Sequence, residues 1–339
     1  MRVLIVVPSQ DPVSGNWVTA QRFQQGLVQQ GHQVTLQGVS LQPQGSLRRQ
    51  VQAFAPDVVL LLHAYRSGRP WLEEADDLAI PCVVLLTGTD VNQGLDDPEQ
   101  CDLIGTVLQH SASVLVQNPL IADGLSAGHP ELSAKLRILP PGVTLGTAPY
   151  DLRDQHALAM EQVIFLCPAG LRPVKGLVEL LEMSGKVAAT SPAFVLAFCG
   201  PSLDDVYSRL LLAAIAGRPW ARYLGAIPAE AMASAMRGVD VIVNNSQSEG
   251  LANALLEAAV VGIPILARRI PGNATVVRHN VNGLLYDGEE EFQHFALQLL
   301  DPCKRRQLAC PEPERYPTSL ETAELATIFQ EAIKTAAGG

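Results

Sequence analysis

The feature that most restricts this chain is a repeated one: short, mainly aliphatic runs without strict apolar/polar alternation, separated by helix-like stretches. In the first half they fall at 3–7 (VLIVV), 34–36, 58–62 (VVLLL), 82–86 (CVVLL), 113–117 and 136–139. In the second half they fall at 163–167 (VIFLC), 194–198 (FVLAF), 222–224, 240–244, 263–267 and 284–286. A strand with one wet face alternates apolar and polar residues, whereas a strand apolar throughout is covered on both faces. Such strands belong to parallel sheets flanked by helices. The fold class expected is α/β, with two doubly wound sheets of similar organisation.

The intervening segments fit that reading. Residues 17–30 form a helix pattern in which Asn16 is placed to cap the start, Phe23 and Leu27 share a face, and Gly31 ends the helix. A chain of 339 residues exceeds one ordinary core, so two domains are expected. The Pro/Gly-rich stretch "LPPGVTLGTAPYDLRDQ" (139–155) marks the boundary, giving a first domain of 1–150 and a second of 151–318. "CPEPERYPTS" (310–319) precedes a closing helix at about 319–336, and the segment 319–339 is free to pack back on the first domain. Ligands of doubly wound sheets gather at the carboxyl ends of the strands, which puts a ligand in the cleft between two such domains.

Charge and cysteine usage exclude several classes. A formal charge of −10 and a pI near 5.2 argue against nucleic acid or an anionic membrane as partner. No apolar run approaches the roughly 20 residues that span a bilayer, and "MRVLIVVPSQ" is too short for a signal-peptide core. The six cysteines form no C-x-x-C pair and no Cys/His spacing that suits zinc, so no metal is expected. Four of them fall in or beside apolar runs, where a reduced thiol is a small hydrophobe, and a reducing cytoplasm is the expected location.

Against this background "NNSQSEGLANALLEAAVVGIPILARRIPGN" (244–273) stands out for two carboxylates, Glu249 and Glu257, in apolar surroundings. Burying a carboxylate costs several kcal/mol unless it is paired. The pattern reads as strand, polar loop, then a helix beginning near Gly250, whose exposed amides form an anion site. Eight helical residues would separate the glutamates by roughly 12 Å, a span suited to a sugar at one end and a ribose at the other. The plainer alternative is one glutamate on the helix dipole and the other paired to an arginine.

Glu-x7-Glu after a strand and loop, followed by "LLEAAVVGIPILA" and "PGN", resembles the retaining nucleotide-sugar glycosyltransferases of the GT-B fold, family four. That resemblance implies a fold of two Rossmann-like domains facing across a cleft and transfer of a hexose from a nucleoside diphosphate sugar, UDP above all. It implies that Glu249 lies by the donor sugar and Glu257 on the donor ribose, with Gly250, Leu251, Ala252 and Asn253 around the helix start. In "CPAGLRPVKG" (167–176) it implies Arg172 and Lys175 as the cations on the diphosphate, although Arg stands three residues before Lys rather than the family's five, and Gly170 fills the usual place. Gly200 of "AFCGP", and Ala226 and Ile227 of "YLGAIP", are implied on the donor base. The family's frequent Glu after "PGN" is replaced by Thr275.

On the acceptor side the resemblance implies Gly15 and Asn16 of "PSQDPVSGNWVTAQRF" (8–23), for which a tight turn with a helix cap is the plain alternative. In "LLTGTDVNQ" (85–93) Thr87 stands where related enzymes carry histidine in an HG-x-D pattern. His63, ending "VVLLLH", is the imidazole available to replace it, or else a structural strand-end residue. Asp90 either caps a helix or touches the acceptor. Implied with the family are a metal-independent reaction, no cofactor beyond the sugar nucleotide as co-substrate, and a small molecule or glycan as acceptor. "SGNWVTAQRF", "LHAYRSGR", "GTDVN" and "LARRIPGNATVV" carry a narrower likeness to a group that includes selenosugar synthases, which makes a selenium nucleophile one alternative acceptor. A nucleotide-sugar epimerase and a non-catalytic sugar-nucleotide binder are the others.

Overall fold

The computed structural model describes residues 1–8, 14–41 and 45–338. Every expected run is a strand. The first six are β1 (Arg2–Val7), β2 (Gln33–Gly38), β3 (Val58–Leu62), β4 (Cys82–Leu85), β5 (Ser113–Val116) and β6 (Leu136–Ile138). The second six are β7 (Val163–Pro168), β8 (Phe194–Cys199), β9 (Ala221–Tyr223), β10 (Val241–Asn244), β11 (Ile265–Arg268) and β12 (Gly283–Tyr286). They form two separate six-stranded sheets in the orders β2-β1-β3-β4-β5-β6 and β12-β11-β10-β7-β8-β9. All pairs are parallel, for example Val3 opposite both Val34 and Val58, and Phe165 opposite Val241.

Apolar burial on both faces accounts for this arrangement. In the second sheet Ile164 and Leu166 face one cluster with Leu255 and Leu256, while Phe165 and Cys167 face another with Leu180 and Phe198. The first sheet is covered in the same way, with Leu4 and Val6 on one side and Val3, Ile5 and Val7 on the other. Each fully buried aliphatic side chain contributes about 1.5–3 kcal/mol. Among the cysteines, Cys82, Cys167 and Cys199 are buried strand residues, Cys101 is half-buried at a helix start, and Cys303 and Cys310 are exposed. Burial pushes the Cys167 thiol up to about 12.

The chain divides into one unit of Met1–Gly142 with Pro317–Gly339 and a second of Val143–Tyr316. The linker stretch 143–150 thus goes with the second unit, and the closing helix Thr318–Gly338 goes with the first. That helix buries Leu325, Ile328 and Phe329 against Phe23 and Leu27 of the helix Gly15–Gln29. It is also pinned by a buried two-pronged ion pair: Arg22 Nε to Glu321 Oε2 at 2.7 Å and Nη2 to Oε1 at 3.0 Å. Gln117 donates to the same carboxylate at 2.7 Å. The first helix starts earlier than expected. Ser14, not Asn16, is its cap, accepting from the Trp17 amide at 3.2 Å, because its extended backbone points the hydroxyl at the first turn.

In each sheet the strand order reverses once, between β1 and β3 in the first and between β7 and β10 in the second. Crossovers leave in opposite directions there, so the loops after those strands diverge and open a crevice at the carboxyl edge.

Candidate functional site

The reversal in the second sheet selects two loops, 168–176 after β7 and 245–252 after β10. They are tied side by side: the Gln247 amide donates to the Val174 carbonyl at 2.8 Å, and Asn245 Nδ2 donates to the Gly176 carbonyl at 2.7 Å. Asn245 is itself held by the buried Tyr286 hydroxyl, which donates to its Oδ1 at 2.6 Å. On this scaffold Lys175, the last residue of a short turn Pro173–Lys175, meets Glu249 in a hydrogen-bonded ion pair. Ser246 Oγ donates to the same oxygen, Glu249 Oε1, at 2.7 Å, and Asn244 Nδ2 lies 3.5 Å from it.

Lys175 and Glu249 are mostly buried, 14% and 11% exposed at their side chains, so they interact in a medium less screening than water. Burial pushes the Glu249 carboxyl up, but the Lys175 charge and the hydrogen bonds from Lys175, Ser246 and Asn244 outweigh it. The net position is below the ordinary carboxylate value, and Glu249 is charged at neutral pH. Gly272 of the loop after β11 packs behind Glu249. A Cβ on Gly272 would come within 2.5 Å of the Glu249 carbonyl oxygen, so only glycine fits.

The helix after Glu249 begins later than the sequence suggested. It spans Asn253–Val261 with Ala252 in the cap position, and Gly250 and Leu251 continue the loop. Glycine is a poor helix former, and Glu249 is held in the loop by Lys175 and Ser246, so the backbone stays extended through Ala252. The two glutamates therefore do not share one helix, and the rise of eight helical residues does not apply. Glu257 alone lies on it, half-buried on a helix whose Leu255, Leu256, Ala258 and Ala259 are buried. Its charge acts on the Cys199 thiol at the end of β8.

Gly200 follows Cys199 with a φ of +145°, and a Cβ there would overlap the Ala169 backbone. Its amide donates to the Gly225 carbonyl at 2.9 Å, and the Tyr223 hydroxyl donates to its carbonyl at 2.7 Å. Ala226 is exposed and Ile227 is buried in the core cluster on the Leu255 side. Arg172 stands half-buried in extended backbone just ahead of the Lys175 turn, its carbonyl accepting from the Lys175 amide at 3.1 Å. The structure thus brings Lys175, Glu249, Ser246 and Asn244 together. Ser246 and Asn244 were missed as site residues, though they bracket the polar end of "VDVIVNNSQSEG" where a strand gives way to a loop.

The first unit has its own strand-end cluster. Asp90 is fully buried. Its Oδ1 accepts from the amides of Thr87 (3.0 Å), Gly88 (2.9 Å) and Val91 (3.2 Å), and its Oδ2 from Ala64 (2.9 Å). Thr87 enters through its backbone. His63, 3% exposed with a φ of 79°, accepts from the Arg66 amide at Nδ1 (3.2 Å), which leaves the ring proton on Nε2, 3.0 Å from Thr89 Oγ1. Gly15 is the exposed first residue of its helix and Asn16 is half-buried; residues 9–13 of the same loop lie outside the described residues. Among the described residues no cluster of His, Cys, Asp and Glu suits a metal ion.

The fold has close counterparts. The HepE protein of Anabaena, in a crystal structure with UDP and glucose, superposes with a TM-score of 0.78 at 16% identity over 98% of this chain and 100% of its own. The sucrose-phosphate synthase of Thermosynechococcus elongatus gives 0.81 at 16% identity over 99% and 100%. Identity at that level speaks to the fold, GT-B. Residues 150–308 match the family model described as glycosyl transferases group 1. That similarity to the group 1 glycosyl transferases lies within the second unit. The chain is 26% identical over 321 residues to glycosyltransferase 1 domain-containing protein 1 of Xenopus tropicalis, covering 92% of this chain and 91% of the relative. The matched family region contains both loops at the second sheet's reversal, with Lys175, Glu249 and Glu257. No helix among the described residues is long and apolar enough to cross a membrane.

Proposed function

We propose that this protein is a glycosyltransferase of the family-four type, which moves a hexose from a nucleoside diphosphate sugar, UDP being the expected nucleotide, with retention at the anomeric carbon. The observation that supports this reading best is the Lys175–Glu249 pair at the carboxyl ends of β7 and β10, where the strand order reverses. An ammonium fixed at that edge meets the diphosphate as it departs, and Arg172 in the same loop adds a second cation. Together with the amides from Gly250 to Asn253 they carry the charge that a divalent ion carries elsewhere, so the reaction calls for no metal or cofactor. Glu249, kept ionised, accepts hydrogen bonds from hydroxyls of the donor sugar, Glu257 from those of the ribose, and Gly200, Ala226 and Ile227 border the base through their backbone.

In the reaction the bond from the anomeric carbon to the diphosphate oxygen breaks and its electron pair leaves with the phosphate. The acceptor bonds to the same face of that carbon and passes its proton to the departing phosphate oxygen. The acceptor, a small molecule or glycan, is assigned to the first unit, where Gly15, Asn16, His63, Thr87 and Asp90 mark the strand-end loops. The test is calorimetry with UDP-sugars on wild type and Glu257→Ala. Loss of binding in the variant is the expected result, and unchanged affinity overturns the ribose assignment. NMR of UDP-GlcNAc incubated alone and with acceptors ranging from simple sugars to selenophosphate checks the reaction class, since epimerisation without any acceptor contradicts it.

A further inference from the structure

Behind Lys175 and Glu249 lie two asparagines that the proposed chemistry leaves unused. Asn273 is fully buried and Asn244 is 6% exposed. Their amide orientations are fixed by partners that have only one role. The Arg268 carbonyl can only accept, and it takes Asn273 Nδ2 at 2.9 Å. The Ser246 backbone N–H can only donate, and it gives to Asn244 Oδ1 at 2.9 Å. With those ends set, Asn273 Nδ2 also donates to Asn244 Oδ1 at 3.1 Å, and Asn244 turns its Nδ2 to Glu249 Oε1, 3.5 Å away.

Asn273 Nδ2 therefore donates both ways, to the carbonyl at the end of β11 and to Asn244, and from Asn244 the donor points on to the carboxylate that holds Lys175. Asn273 Oδ1, by contrast, has no hydrogen-bond partner among the described residues. An unsatisfied buried amide oxygen costs about 1–3 kcal/mol, a cost that calls for a use at the other end of the side chain. Gly272, next to it, is the residue pressed against the Glu249 backbone, so the loop after β11 supports Glu249 through both main chain and side chain.

We propose that Asn273 is a positioning residue that acts through Asn244 to hold the Glu249 carboxylate, and with it the Lys175 ammonium, in place for the departing diphosphate. The catalytic part of this statement rests on the function proposed above, while the positioning part does not. The primary experiment accordingly needs no turnover. It follows the Glu249 carboxyl by 13C NMR titration, with Glu249→Gln identifying the signal. Lys175 and the buried thiol of Cys167 are titratable groups that act on Glu249, and the variants alter neither.

Asn244→Ala removes a donor to the ionised form, so the Glu249 midpoint is expected to rise by about half a unit. Asn273→Ala moves it in the same direction by less, and the double variant matches Asn244→Ala alone, because the effect of Asn273 passes through Asn244. In turnover, Asn273→Ala is expected to lower kcat about tenfold with the donor KM within about twofold. Asn273→Ser keeps a donor, is expected to lie between wild type and alanine, and carries the same titration should the alanine variant not fold. An unmoved Glu249 midpoint, or shifts that simply add, overturns the proposal. Expected titrations from a protein that turns over no sugar nucleotide leave the positioning intact and sink the functional reading instead.

Discussion

Two carboxylates sit at strand ends of two similar sheets and are satisfied in opposite ways. Asp90, in the first unit, accepts from four backbone amides spread over the loops after β3 and β4. Glu249, in the second, accepts from an ammonium, a hydroxyl and a side-chain amide. Amides that belong to the fold cannot leave for a ligand, so Asp90 spends its charge shaping two loops. Side chains can exchange partners, so the ion pair of Glu249 and Lys175 is free to rearrange in a way that Asp90 is not. Carboxylates in the strand-end loops of two doubly wound sheets are thus held by the backbone in one unit and by side chains in the other.

The largest effect that this contrast implies is on rate. Lys175→Met and Glu249→Gln are each expected to lower kcat by about 10³, equivalent to ~4 kcal/mol of transition-state stabilisation, with a melting temperature within a few degrees of wild type. Steady-state release of UDP from a UDP-sugar measures the first, and differential scanning calorimetry the second. A variant that unfolds rather than slowing would place Glu249 with Asp90 and erase the distinction.

The converse substitution acts on stability. Asp90→Ala strands several buried amides at once, each costing about 1–3 kcal/mol, so a loss of roughly 3 kcal/mol or more is expected. For a unit of this size that lowers the melting temperature by about 6–12 °C. Chemical denaturation monitored within the first unit checks it. Retained stability with lost acceptor turnover would instead make Asp90 a substrate contact.

How much of this was legible beforehand follows from which contacts are local. All twelve strands are visible in the sequence, most of them because apolar runs without alternation mark burial on both faces. The GT-B resemblance was carried by spacings such as Glu249 to Glu257, which survive without knowledge of neighbours. The order of the strands was not legible, since pairing β7 with β10 depends on residues some 80 positions apart. The late start of the helix at Asn253 was hidden for the same reason. What holds Glu249 off that helix is Lys175, 74 residues upstream, and Gly272 of the loop after β11. Ser14 displaced Asn16 as the cap because either residue type suits that position, and only the backbone geometry chooses. Asp90 was left between a cap and an acceptor contact, and the donors it accepts from are backbone amides, which no sequence pattern displays.

The smallest expected effect is in the pH dependence of stability. In wild type the Glu249 carboxyl lies below its ordinary value, so the unfolded chain binds the proton more readily. The stabilisation from this group is complete above about pH 4.5 and disappears as pH falls through the folded value. In Lys175→Met the largest remaining influence is burial, which pushes the same carboxyl up. The folded state then binds the proton more readily, and stability from this group falls as pH rises above about 4.5. Urea denaturation of both proteins from below that pH to above it should give a stability difference that grows with pH by on the order of 1 kcal/mol. A constant difference would mean that Lys175 does not set the charge of Glu249, and the carboxylate in the second unit would then be held, like Asp90, by the fold around it.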